Sequence, residues 1–161
     1  MDNQFTYIGI VRESRNDEYR TPIVPAHIKK FKENNPNINF IIQPSNNRCF
    51  SDKEYELSGA KINEDLKKCS IILGVKEIEP NDLINNRTYL FFSHTFKIDK
   101  KQKDIEKNKK ELLLSILNKK IKLIDYENIR EKNGNRCLGF GRFAGIVGCY
   151  NTLNLFLKVL G

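Results

Sequence analysis

An α/β fold with a mostly parallel sheet flanked by helices is what this 161-residue chain predicts. Three observations carry the prediction. Short apolar runs rich in β-branched and aromatic residues alternate with helix-like segments, as in strands joined by crossover helices. The runs are apolar nearly throughout, as strands covered on both faces are. Two of them also stop on residues that can move a proton: residues 70–76 end at Lys76, and residues 88–94 end at His94. Ligands of open α/β sheets sit beyond the carboxyl ends of the strands. The pattern therefore sets an amine and an imidazole side by side where a substrate would bind, which suits acid–base chemistry.

Taken in order, residues 7–12 read as the first strand. Residues 25–33 read as a short helix, with Pro25 in its first turn, Ile28 and Phe31 turned inward and Pro36 ending it. A second strand is expected at 39–43. Ser51 and Glu54 form a capping box that opens a helix over 52–58, and Gly59 closes it. Residues 63–68 read as a helical turn leading into the strand at 70–75. A turn is expected at 80–84 and a strand at 89–93. Ile105, Leu112, Leu113, Ile116 and Leu117 share one face of a helix that ends near Lys120. Residues 122–125 form the next strand. Asn133-Gly134 signals a turn, so 136–140 is expected to return as a strand. From 143 to the end, Phe143, Ile146, Val147, Tyr150, Leu153, Leu157 and Leu160 recur at helical spacing. The positions between them are apolar or small, so this helix requires cover on several sides. Together these elements make a doubly wound, Rossmann-like or flavodoxin-like class, ending in a long apolar helix.

The length suits one domain with a sizeable core. Hydrophobic residues are 39% and charged residues 30%, an ordinary globular balance. Mean hydropathy is −0.54, and no apolar run approaches the roughly 18–20 residues of a membrane span. Asp2 near the N-terminus and the lack of an apolar stretch there predict no secretory signal. The expected compartment is the cytoplasm, or the mitochondrial matrix if a segment not present here directs it there. The net charge of +8 reads either as a nucleic-acid surface or as a lysine-rich solvated face. Acidic residues interrupt the lysines of 97–122, and the aromatics sit inside strand-like runs. Both features favour the solvated face. Cys49, Cys69, Cys137 and Cys149 form no C-x-x-C pair, and His27 and His94 show no metal-ligand spacing. Free thiols and no metal are the expectation.

An amine desolvated beside an imidazolium releases its proton more readily, which makes Lys76 and His94 the candidate acid–base pair. Arg12, Arg15 and Arg20 lie at or after the end of the first strand, and a guanidinium offers a fork for a carboxylate. The alternative is a loop of surface ion pairs with Glu13, Asp17 and Glu18. Arg136 follows the Asn-Gly turn and can join the same pocket. Glu18, Glu77 and Glu127 stand near these strand ends, where they would hold or tune the cations. Spatially, the expectation is one hollow faced by Lys76 and His94, with Arg20 on its rim. Gly139, Gly141 and Gly145 miss the dinucleotide spacing by one position, so the glycines are expected to allow close packing of a helix start.

RTPIVPAHIK (20–29), IIQPSNNRCFSDKEY (41–55), ILGVKE (72–77), YLFFSHT (89–95), KLIDYE (122–127) and GFGRFAGIVG (139–148) run in order over nearly the whole chain. On these stretches the chain resembles the lysine-ketoglutarate reductase and saccharopine dehydrogenase family of the α-aminoadipic semialdehyde synthase type. More broadly, it is similar to the alanine dehydrogenase/transhydrogenase N-terminal family. The resemblance implies condensation of the ε-amine of L-lysine with 2-oxoglutarate and NADPH-dependent reduction to saccharopine. It implies acid–base roles for Lys76 and His94 and carboxylate binding by Arg20, and Arg136 matches the arginine that flanks the late turn. Glu18, Glu77 and Glu127 match the acids that pair with basic side chains. It further implies a substrate domain over 1–142, with 143–161 a connector helix towards a nucleotide-binding domain. That Rossmann domain, in cis or as a separate chain, would hold NADPH, so no cofactor-binding residue is expected here. Two other readings stay open: a non-catalytic dicarboxylate-binding or interaction module of the same fold, and an alanine dehydrogenase-like oxidoreductase.

Overall fold

The computed structural model describes residues 5–95 and 103–160. The chain divides into two compact units, Met1–Tyr126 and Glu127–Gly161.

The first unit holds strands β1 (Thr6–Ile10), β2 (Ile38–Ile42), β3 (Lys61–Ile62), β4 (Ile71–Leu73), β5 (Thr88–Phe91) and β6 (Lys122–Asp125). Its helices are α1 (Pro25–Asn34), α2 (Asp52–Leu57) and α3 (Lys103–Asn118). Among the described residues the strands form one sheet, ordered β3-β2-β1-β4-β5-β6, with every pairing parallel. The mostly parallel sheet expected from the apolar runs is thus the observed fold.

Side chains along a strand alternate between faces, and each face has its own core. Ile41, Leu66, Cys69, Ile72, Tyr89 and Phe91 pack with Leu112 and Ile116 of α3. Ile8, Ile10, Phe40 and Ile42 pack with Ile28 of α1 and Tyr55 of α2. Cover on both faces is why β1 and β2 read as continuous apolar runs. Each such side chain contributes about 1.5–3 kcal/mol on burial.

Several expectations change. β3 is an extra strand, too short and too polar at Lys61 to show in the sequence. Residues 63–68 form no helical turn, because Asn63 Oδ1 accepts from Asp65 N–H and Asp65 Oδ1 from Lys67 N–H. Such side-chain bonds compete with helix. Leu112 and Ile116 are buried, but Leu117 is 64% exposed, so the inward face of α3 is narrower than its apolar pattern. The side chain of Ile105 and the stretch 96–102, with its share of the lysine-rich segment, lie outside the described residues.

In the second unit, Asn133-Gly134 does turn, with Gly134 at φ +86°. No strand follows at 136–140. A single antiparallel bridge joins Arg130 to Arg136, since residues 130–137 offer no alternating apolar face. Helix α4 (Gly141–Leu160) then runs to the end of the described chain. Within this unit, a Cβ at Gly139, Gly141 or Gly145 would meet no described atom within 4 Å.

Candidate active site

β1 lies between β2 and β4, so the chain leaves β1 towards one flank and leaves β4 towards the other. Loops that part in this way open a crevice at the carboxyl ends, where such sheets bind ligands. A cavity of about 550 Å³ opens at this point. Residues after β1 (Val11 to Ser14), after β3 (Glu64 to Lys67) and after β4 (Lys76 to Glu79) line it.

Lys76 and His94 each follow their strand by three residues, and β4 pairs with β5 in parallel. Continued past the strand ends, the register sets Glu77, one residue beyond Lys76, opposite His94. Glu77, the residue after Lys76, hydrogen-bonds through Oε1 to Nδ1 of His94. The His94 ring also stacks on Phe92, with centroids 6.4 Å apart. Lys76 and Glu77 line the cavity, whereas His94 meets it through Glu77.

The turn carrying His94 is held from β6. Asp125 Oδ2 accepts from both the backbone N–H and the hydroxyl of Ser93. The Ser93 hydroxyl lies 2.8 Å from that of Thr95 and accepts from the Thr95 N–H. Ser93 and Asp125 are both buried. His94 itself sits at φ +52°, a left-handed conformation. Such strain in a residue with a Cβ persists only where the surroundings impose it, and it clusters at functional sites.

Arg12, Arg15, Arg20 and Arg136 each face an acid. Arg15 donates to both carboxylate oxygens of Asp17, at 2.9 and 2.7 Å, and both residues are exposed. Arg20 grips Glu18 by a two-pronged fork, and its backbone N–H adds a third bond at 2.9 Å. Glu18 is buried, and this fork, with the charge of Lys76 assisting, holds its carboxyl below the usual range. Arg12 bonds Glu64 at 2.7 Å and the Pro44 carbonyl at 2.9 Å. Arg20 and Glu18 line a small cleft that shares Val11, Arg12 and Glu13 with the main cavity. In the second unit Arg136 lies 3.5 Å from Glu127, whose side chain is buried.

Glu13 was not singled out by the sequence, except as an ion-pair partner. Its Oε1 accepts from the Val75 N–H at 2.7 Å and its Oε2 from the Lys76 N–H at 2.9 Å. Burial pushes this carboxyl above its ordinary range, and the two N–H bonds oppose that shift. Asp125 was missed too, although it ends an apolar run on a polar residue just as Lys76 and His94 do.

A dinucleotide fits poorly at this crevice. In doubly wound sheets the pyrophosphate lies on a glycine-rich turn after the first strand, at a helix N-terminus. Here residues 11–20 contain no glycine and carry Glu13, Asp17 and Glu18. The following helix has Val24 at its N-cap, with no side-chain cap bond.

A family model described as "Alanine dehydrogenase/PNT, N-terminal domain" matches residues 9–147. Alpha-aminoadipic semialdehyde synthase of Mus musculus, named as mitochondrial, is 38% identical over 137 residues, covering 85% of this chain and 14% of that protein. The Arabidopsis thaliana protein of the same name is 36% identical over 152 residues, covering 91% of this chain and again 14% of that protein. The chain thus spans about a seventh of these relatives. Among solved structures, an L-alanine dehydrogenase superposes with a TM-score of 0.64 at 18% identity, over 81% of this chain and 35% of that one, a likeness of fold. With the six-stranded parallel sheet and the family match over most of its length, the chain belongs to the alanine dehydrogenase/PNT N-terminal domain family.

Proposed function

We propose that this chain is the substrate-binding and acid–base domain of an NADP-dependent lysine-ketoglutarate reductase. The observation that carries the reading is the Lys76–Glu77–His94 group at the ends of β4 and β5, beside the switch-point cavity. Identity of 36–38% to two alpha-aminoadipic semialdehyde synthases supports the lysine reaction over the alanine one, for which the likeness is of fold. The substrates are L-lysine and 2-oxoglutarate, and the product is saccharopine.

The chain's own part is to bind, orient and move protons. An ε-ammonium must shed a proton before it attacks the keto carbon. The carbinolamine hydroxyl must then gain a proton to leave as water. Lys76 and His94 make these transfers. Glu77 engages Nδ1 of the ring, which leaves Nε2 as the nitrogen able to exchange a proton with substrate. In this reading Arg20, at the cleft adjoining the cavity, takes a substrate carboxylate, Arg15 does so on exchanging Asp17 for it, and Arg136 is assigned the same role. Glu18, Glu77 and Glu127 hold these groups in place. Positioning two substrates in one crevice supplies much of the rate. NADPH provides the hydride, and because the turn after β1 does not suit a pyrophosphate, it is bound by a nucleotide-binding domain in cis or as a separate chain. In this reading residues 1–142 are the substrate domain and 143–161 the connector helix. The mammalian names favour a mitochondrial compartment, which in this reading is the matrix, with the cytoplasm as the alternative.

The test is lysine- and 2-oxoglutarate-dependent NADPH oxidation by the full-length protein. Lys76→Met and His94→Gln are each expected to lower turnover roughly 10²–10⁴-fold with the circular dichroism spectrum unchanged. Near-normal turnover in both removes the acid–base assignment. Turnover with pyruvate and ammonia in place of the lysine substrates would instead favour the alanine dehydrogenase-like reading.

A further inference from the structure

The parallel ladder between β1 and β4 closes with the Val11 N–H donating to the Leu73 carbonyl at 3.0 Å. On the far side of β4, Gly74 donates to the Leu90 carbonyl, and Phe92 donates to the Val75 carbonyl. Lys76 therefore leaves the sheet where β4 is tied to β5 but no longer to β1 by backbone bonds. Glu13 spans that gap. It reaches across 62 residues of chain and takes two successive N–H groups, those of Val75 and Lys76, one on each carboxylate oxygen. It is half-buried and lines both the main cavity and the adjoining cleft. A carboxylate that accepts two backbone N–H groups fixes the orientation of two peptide planes at once, and charge-assisted bonds of this kind are the stronger ones.

We propose that Glu13 is a positioning residue for proton transfer by Lys76. Its carboxylate locks the backbone from which the amine projects, in place of the missing β1 ladder. This rests on the acid–base reading of Lys76. A glutamine at this position keeps the shape but offers one acceptor and one amide donor, so one of the two N–H groups meets another donor. The lysine side chain then leaves the strand with its direction unfixed.

The experiment uses Glu13→Gln in the full-length protein, with two arms. The first reads kcat and KM for both substrates. Misplacement of a reacting group by about 1 Å can cost 10²-fold, so kcat is expected to fall at least roughly tenfold. KM for each substrate stays within about twofold, because Glu13 binds neither in this account. Unchanged kcat, or a rise in KM with kcat kept, overturns the proposal. The second arm needs no turnover. Lysine amines are labelled with an acylating reagent across a pH series and read by mass spectrometry, with Lys67 of the same cavity as internal control. The profile of Lys76 is expected to move in Glu13→Gln while that of Lys67 stays. An unmoved Lys76 profile overturns the proposal. A wild-type protein inactive with lysine and 2-oxoglutarate would sink the functional reading, and the labelling arm would still decide whether Glu13 positions Lys76.

Discussion

Glu18 is 5% exposed, yet its carboxylate is ionised, because Arg20 meets both of its oxygens and its own backbone N–H adds a third bond. Its folded-state pKa lies below the ordinary value of 4.5, with the Arg20 fork as the largest cause. The unfolded chain therefore binds this proton more readily than the folded one does. The contribution of Glu18 to stability is full above the ordinary carboxylate range and is lost as pH falls through the lowered value. Glu13 has the opposite sign: burial raises its pKa, so its ionised form costs stability at neutral pH and that cost fades on acidification. The two acids stand on either side of the same loop and can be separated by a pH series. Glu18→Gln should lower the melting temperature most at neutral pH, and the gap to wild type should narrow steadily into the acid range. A gap of constant size at every pH would mean that the Arg20 pair contributes no ionic stabilisation. What the sequence could show here was the list of charges after the first strand. Which acid takes Arg20 and which takes backbone N–H groups 62 residues away depends on the path of the loop, and composition holds no record of that.

At the scale of elements, the residues that were easy to read are those with strong local causes. Ser51 accepts from the Glu54 N–H while the Glu54 carboxylate accepts from the Ser51 N–H, and α2 starts where that capping box puts it. Pro25 opens α1. β1, β2, β5 and β6 are apolar runs with few competing local bonds. What failed was decided by partners distant in sequence. β3 exists because β2 offers it an edge at Ile41 and Ile42, and a two-residue strand has no periodicity to detect. The return strand at 136–140 failed for the converse reason, a good turn with no apolar face behind it. Gly9 shows packing that no pattern reveals. A Cβ there would lie 3.1 Å from Cys69 Sγ and 3.2 Å from Cys69 Cβ, with Leu66 Cδ1 at 3.3 Å. β1 thus runs directly against a fully buried thiol, which burial raises to a pKa of about 11 and so keeps neutral. Gly9→Ala should cost about 1–3 kcal/mol in urea unfolding, the usual range for overpacking a tight core. Because β1 also carries the loop of Glu13 to Arg20, the same variant should shift the Glu13 bonds. Wild-type stability in Gly9→Ala would show that Cys69 and Leu66 can retreat without cost.

For the molecule as a whole, the question is how a sheet with a dinucleotide-binding strand order does without the dinucleotide. Order β3-β2-β1-β4-β5-β6 puts the switch point between β1 and β4, where glycines would normally let a pyrophosphate approach the backbone. This chain has filled that place with side chains. The Glu13 carboxylate already takes the N–H groups after β4, and Asp17 and Glu18 of the same loop are engaged by Arg15 and Arg20. A pyrophosphate entering there would find the Val75 and Lys76 N–H groups already taken and no glycine in residues 11–20 to let it approach the backbone. On the proposed reading the crevice takes the smaller substrates, and the nucleotide is held by another domain. In the second unit, Phe143, Tyr150, Leu153, Leu155, Phe156 and Leu157 of α4 are each more than half exposed among the described residues. An apolar surface of this kind calls for cover. On the proposed reading, fluorescence titration of the 161-residue chain with NADPH should show no saturable binding. Saturable, competitive binding by the chain alone would place the nucleotide at β1 after all. It would also require the Glu13 bonds to open when the nucleotide enters.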